Sequence, residues 1–352
     1  TSSSGVMVWR GENLAREATL AGHEVVIAHN YYFDLYQGNP AFEPVTYGYL
    51  PMKQVYEYEP VPADFSPEQS QKVLGVQGCL WTENVYDTQK AEYMLFPRLL
   101  ALAEVAWAQP QRRNWNEFKR RLPIMMDWLE KHEVHYATSI FDPAISIISD
   151  TLSRYQQCQF DQQITFGNIY YTTDGSLPSL DSKIYNGPFS LQKASYIQAQ
   201  AFMPNSKKSK VLSITFQPSL ASGKTFKLAS KPDEKYNGNA PWTLTDGLNG
   251  TEAIRDGRWS GFYGSDFEMT VDLDSIQTLH SLDLHWLKAE NSWIYLPLEM
   301  WVETSSDGEH WNRAASLSKS DGELAGKNRI APIKVSLTGI EAQYVRVFAK
   351  NP

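Results

Sequence analysis

The chain has 352 residues, 42% of them hydrophobic and 13% aromatic, enough to bury a large core and to form two or three domains. Its 32 basic and 40 acidic residues leave a net charge of −8 without long single-sign runs, which speaks against nucleic acid or an anionic membrane as the main partner and for a neutral ligand. No run of about 18 apolar residues offers a membrane-spanning helix, and the opening "TSSSGVMVWRG" lacks signal-peptide character, so any signal peptide is expected upstream.

Residues 1 to about 135 alternate strands with helices. "VMVW" (6–9) predicts a short strand, "ENLAREATLAG" (12–22) a helix ending on Gly22, and "HEVVIAHN" (23–30) the next strand. An aromatic and proline-rich connection over 31–66 leads to a third strand, "KVLGVQGCLW" (72–81). A helix over 87–109 follows, with Pro97 expected to bend it, and a further helix over 114–133. Continuous apolar strands separated by helices imply a parallel sheet covered on both faces. From about 138 the pattern becomes all-β, with alternation at Ile197, Ala199 and Ala201, then Leu212, Ile214 and Phe216, and a turn at Asp174-Gly175. After "PSLASGK" (218–224) a second all-β segment alternates at Phe267, Met269, Val271 and Leu273 and at Leu282, Leu284 and Trp286, with a hairpin at Asp307-Gly308.

Cys79 and Cys158 belong to no CxxC or Cys/His cluster, and both read as free thiols. His23 and His29 flank a strand without metal spacing, which gives them structural roles, and Arg98 and Glu104 read as a structural ion pair or cap.

Three strand ends carry unusual residues: Trp9-Arg10-Gly11, Tyr31-Tyr32-Phe33-Asp34 and Trp81-Thr82-Glu83. In a (β/α) barrel the C-terminal strand ends share one face, where that fold keeps its active site, so the three clusters should converge. Aromatic faces for C–H patches and carboxylates for hydroxyls make a sugar pocket. Glu83 also has a bland reading as an acid at the N-terminus of the next helix, and Trp9 as core packing.

Together "VMVWRG", "YYFDLYQ", "VLGVQGCLWTE" and "YMLFPRLLALAEVAW" resemble the C-terminal part of the catalytic barrel of glycoside hydrolase family 20, the β-N-acetylhexosaminidases. The resemblance implies that Glu83 grips sugar hydroxyls, Trp81 lines the pocket and Trp9 encloses the acetamido group. It also implies that Tyr32 donates to the acetamido carbonyl and that Asp34 binds a hydroxyl. It further implies substrate-assisted retaining hydrolysis, in which the acetamido oxygen attacks the anomeric carbon beside an adjacent Asp-Glu pair. The only Asp-Glu step here is Asp233-Glu234, in a loop-like stretch.

About 135 residues hold three strand–helix units, whereas a whole barrel takes roughly 250 residues. The expected architecture is therefore multidomain. It starts with a partial (β/α)8 TIM barrel holding the last three strand–helix units (1–137), followed by a small antiparallel β-sandwich (138–218). A discoidin-like, F5/8 type C jelly roll resembling family 32 carbohydrate-binding modules (219–352) completes it.

Such modules imply a structural calcium beside Thr245-Asp246-Gly247, with Asp246 as ligand. Trp242, Trp259, Tyr263 and Trp293 are either an aromatic sugar platform or jelly-roll core. The expected partner is a glycan ending in N-acetylhexosamine, met in the periplasm or outside the cell. Two rival readings are a non-catalytic carbohydrate-binding protein with a degenerate barrel and an interaction module that uses the discoidin surface.

Overall fold

The computed structural model describes residues 4–39, 42–43, 48–149, 156–204, 207–238, 243–254, 256–318 and 329–352. The chain divides into two compact units, one formed by 1–142, 162–168 and 201–210, the other by 143–161, 169–200 and 211–352. The segment expected to be a separate sandwich thus contributes to both.

In the first unit, β1 (Val6–Val8), α1 (Glu12–Leu20), β2 (Val25–Ile27) and β3 (Val73–Val76) form a three-stranded parallel sheet in the order β1-β2-β3. Val8 pairs with Ile27, and Ile27 with Val76. The aromatic connection before β3 is less irregular than its composition suggests. It contains α2 (Met52–Glu57), which buries Met52, Val55 and Tyr56 at helical spacing, and α3 (Pro67–Ser70), opened by a Ser66/Gln69 capping box.

The helix predicted as bent at Pro97 is in fact two, α4 (Thr88–Leu95) and α5 (Arg98–Trp107). α6 (Trp115–Lys131) turns Phe118, Leu122, Met126 and Leu129 inward, one apolar stripe at helical spacing. Each such side chain contributes about 1.5–3 kcal/mol on burial, against about 1 kcal/mol for the Asn114 cap, so packing holds this helix in place. Its stripe joins one core with Val8, Val25, Ile27, Phe33 and Leu102.

Arg98 and Glu104 do not pair with each other. Six residues of helix rotate through about 600°, which leaves them about 120° apart around the axis. Glu104 instead takes both oxygens to Arg121 and accepts from the Tyr56 hydroxyl at 2.8 Å. The histidine expectations hold: His29 Nδ1 accepts from the Gly11 N–H at 3.2 Å, and His23 Nδ1 lies 3.1 Å from the Ser4 carbonyl.

Asp142 is a buried carboxyl in this unit, with Oδ1 accepting the Lys210 N–H at 2.8 Å. Burial pushes its pKa up to about 7, with the Glu43 charge adding to the effect and Lys210 opposing it. The folded state therefore binds more protons than the unfolded chain between about pH 4 and 7, and stability falls as pH rises through that window. Asp142→Asn keeps an acceptor and removes the buried charge. It should raise Tm measurably at about pH 8 and have little effect near pH 4, as a thermal scan at both values would check.

The second unit is β-rich. β4 (Ala144–Ser149), β5 (Gln156–Asp161) and β8 (Phe189–Leu191) form one sheet, while β6 (Asn168–Thr172), β7 (Lys183–Ile184), β9 (Ser195–Phe202) and β10 (Leu212–Phe216) order as β10-β9-β6-β7. The predicted antiparallel pairing across the polar turn is present, with Ile197 opposite Ile214 and Ala199 opposite Leu212.

A five-stranded sheet, β11-β12-β15-β13-β14, follows: β11 (Phe226–Leu228), β12 (Phe267–Leu287), β13 (Glu299–Ser305), β14 (Asn312–Ser318) and β15 (Ile330–Ala349). The two alternating stretches at 267–273 and 282–286 are one long strand, interrupted at Asp274, whose φ of 68° accompanies a register shift against β15. Asp307 holds the β13–β14 turn by accepting the Glu309 and His310 N–H groups at 2.9 and 2.8 Å. Cys79 and Cys158 are buried free thiols.

Candidate active site

The three expected clusters sit at the same ends of three adjacent parallel strands. Trp9 follows β1 directly. The Val8 carbonyl accepts from Ala28 at 2.8 Å and His29 at 3.0 Å, which aligns the β1 and β2 ends. Beyond β3 the pairing resumes: Cys79 donates to the Tyr31 carbonyl at 2.8 Å, Phe33 donates to the Cys79 carbonyl at 2.6 Å, and Tyr32 bridges Cys79 in parallel. Tyr32–Asp34 and Cys79–Trp81 therefore lie side by side, about 4.8 Å apart as neighbouring strands must be. Gly78 permits this, since a Cβ there would stand 2.9 Å from the Phe33 ring and 3.1 Å from Leu102.

Exposure divides the residues by task. Trp9 is 46% and Trp81 58% exposed in this chain. Arg10 lies over one face of Trp9, its guanidinium carbon 4.1 Å from the ring centroid. Tyr32 is half-buried, and burial, followed by Cys79 and Asp34, raises its pKa above the ordinary phenol value while Arg10 opposes them. Its hydroxyl is therefore protonated at neutral pH and available as a donor.

Asp34 is buried behind it at 4% exposure. Glu83 is exposed in a short 3-10 turn, Thr82–Asn84, and the cap of the next helix is Asp87, whose carboxylate accepts the Lys90 N–H. The cap of that helix is thus Asp87, and Glu83 is the acid in the first turn of its own 3-10 turn.

Two neighbours escaped sequence reasoning. Cys79 lies between these groups with its thiol pKa raised by burial. Arg98, fully buried, donates to the carbonyls on either side of Asp34. A charge directly after Pro97, leading the apolar turn Leu99–Leu100–Ala101–Leu102, was the available signal for Arg98.

In the second unit Asp246 is buried, with Oδ1 accepting the Leu248 N–H at 2.8 Å and Oδ2 3.7 Å from Arg258 Nη1. Burial pushes its pKa up to about 6. Calcium requires six to eight oxygens, and no group of three His, Cys, Asp or Glu side chains suited to a metal occurs among the described residues. The carboxylate expected to bind calcium thus faces a guanidinium nitrogen of Arg258.

Of the four aromatics, Trp242 lies outside the described residues. Trp259 is held by its Nε1–H on the Thr251 carbonyl at 2.9 Å, while Tyr263 and Trp293 are 90% and 81% exposed.

Residues 1–110 match the glycosyl hydrolase family 20 catalytic domain, 160–216 the Fn3-associated domain and 227–351 the F5/8 type C domain. The chain is 32% identical over 219 residues to a beta-hexosaminidase of Porphyromonas gingivalis, covering 59% of this chain and 27% of that protein. It is 40% identical over 78 residues to a beta-N-acetylhexosaminidase of Cellulomonas fimi, covering 21% of this chain and 15% of that one. A solved exo β-N-acetylglucosaminidase of Vibrio harveyi aligns with a TM-score of 0.37 at 32% identity, over 40% of this chain and 22% of the other. The chain thus spans 27% or less of the length of each of these relatives. No described helix is long and apolar enough to cross a membrane.

Proposed function

We propose that this chain, whose residues 1–110 belong to the family 20 glycosyl hydrolase catalytic domain and 227–351 to the F5/8 type C domain, forms the sugar-gripping part of a larger exo-β-N-acetylhexosaminidase. The enzyme removes terminal N-acetylglucosamine or N-acetylgalactosamine from glycans outside the cytoplasm. On this reading the three parallel strands are the last three strand–helix units of a (β/α)8 barrel, completed by strands outside this chain. A small β-sandwich (138–218) and a discoidin-like module (219–352) follow.

The observation that carries the reading is the parallel register that brings Trp9, Tyr32–Asp34 and Trp81–Glu83 to one end of one sheet. Trp9 and Trp81 offer exposed rings to the apolar faces of a sugar and its acetamido group. Asp34 and Glu83 accept from sugar hydroxyls. Tyr32, kept protonated, donates to the acetamido carbonyl, holding that oxygen towards the anomeric carbon and stabilising the charge that develops as it attacks. The proton for the leaving oxygen comes from an acid elsewhere in the barrel.

Glu83 gives the test. A carboxylate gripping a hydroxyl makes a charge-assisted bond worth about 1.5–3 kcal/mol. In the full-length enzyme Glu83→Gln should lower kcat/KM by roughly ten- to a hundredfold with the thermal transition unchanged. Unaltered kinetics would remove Glu83 from the site.

A further inference from the structure

Pro97 has no N–H to continue the helical ladder, so α4 ends at Leu95 and carbonyls near the break lose their intrahelical donors. Two side chains replace those donors. Gln37 Nε2 donates to the carbonyls of Tyr93, Met94 and Phe96 at 2.8, 3.3 and 3.0 Å. Arg98, at the start of α5, points inward rather than to water. Its Nη2 donates to Met94 and Phe33 carbonyls, both at 2.7 Å, and its Nη1 to Leu35 at 2.9 Å and Leu50 at 2.8 Å. The guanidinium carbon lies 4.7 Å from the Phe33 ring centroid.

Tying carbonyls together does not require a charge, as Gln37 demonstrates on the same Met94 carbonyl. A fully buried guanidinium is costly to desolvate, and it is retained where a fixed fork or a nearby anion repays that cost. Both conditions meet at one residue. Arg98 grips the peptide carbonyls before and after Asp34, fixing that backbone on both sides; burial pulls its pKa down to about 9, and the Asp34 carboxylate is the foremost charge opposing that.

We propose that Arg98 is a positioning residue for sugar binding: it sets the backbone and the electrostatic surroundings of Asp34, so that this carboxylate meets one substrate hydroxyl in a fixed geometry. The inference rests on the reading of Asp34 as a sugar ligand.

The test uses the full-length enzyme, Asp34→Asn, Arg98→Lys and the double variant, assayed on an aryl N-acetylglucosaminide and its 3-, 4- and 6-deoxy analogues. Lys keeps the charge and loses the fork. Asp34→Asn should lower kcat/KM by roughly ten- to a hundredfold on the parent substrate, and much less on the one analogue that lacks the hydroxyl it holds. Arg98→Lys should lose about tenfold with the same dependence on that hydroxyl, and the double variant should lose no more than Asp34→Asn alone.

Losses from Arg98→Lys that are equal on all four substrates and add to those of Asp34→Asn would make Arg98 a scaffold residue and overturn the proposal. If Asp34→Asn is silent on every substrate, the sugar-ligand reading itself fails and takes this inference with it. Should Arg98→Lys not fold, the Tm of Asp34→Asn decides. Removing a carboxylate that balances a buried guanidinium should lower Tm by a few degrees, whereas an unchanged or higher Tm, the usual result when a ligand-binding acid is neutralised, would contradict the coupling.

Discussion

The 352-residue chain on its own is expected to leave an aryl N-acetylglucosaminide intact under conditions where the full-length enzyme cleaves it. Its only adjacent Asp-Glu step, Asp233-Glu234, lies at a short 3-10 turn of the β-rich unit, and the Asp233 carboxylate there accepts the Lys235 N–H. Asp233 thus caps a turn, and the proposed mechanism takes the proton for the leaving group from an acid outside these residues. General acid catalysis alone is typically worth about 10²–10⁴-fold, and loss of the acid that orients the acetamido group adds to that. Release of the aryl alcohol by the purified chain at a rate near that of the full-length enzyme would contradict both the proposed mechanism and the placement of the acid outside these residues.

Tyr32→Phe in the full-length enzyme is expected to lower kcat by about 10²-fold, the scale of one preorganised donor, with little change in KM. The phenol is half-buried, beside Cys79 and Asp34, with its pKa raised, so it serves as a fixed donor rather than as a base. Charge on the acetamido oxygen grows only as the ring of the intermediate closes, so a bond to that oxygen strengthens in the transition state more than in the bound substrate. The kinetic signature is therefore in kcat. A variant that raises KM alone would show instead that Tyr32 contributes uniform binding.

The parallel sheet was legible because β1, β2 and β3 are continuous apolar runs, and the hairpin of Ile197 and Ile214 because its alternation is regular. The five residues of the candidate site were legible as anomalies, aromatics and acids where turn residues belong. α2 was hidden because it is only six residues long within an aromatic and proline-rich stretch, too short for its buried positions, Met52, Val55 and Tyr56, to mark a period.

The partnership of Arg98 with Phe33, Leu35 and Leu50 was invisible for another reason. It consists of bonds to carbonyls 48 to 65 residues away, and a carbonyl carries no sequence identity. Likewise nothing in "TDG" announces that Arg258, twelve residues on, will face the Asp246 carboxylate.

On the proposed function these strand ends hold an N-acetylhexosamine through its acetamido group. Inhibition of wild type and Tyr32→Phe by two compounds tests it most directly: a thiazoline analogue of the cyclised intermediate and a sugar inhibitor without an acetamido group. The variant should lose affinity for the thiazoline by about tenfold or more and retain it for the other compound. Equal losses for the two compounds, or no loss for either, would contradict that reading.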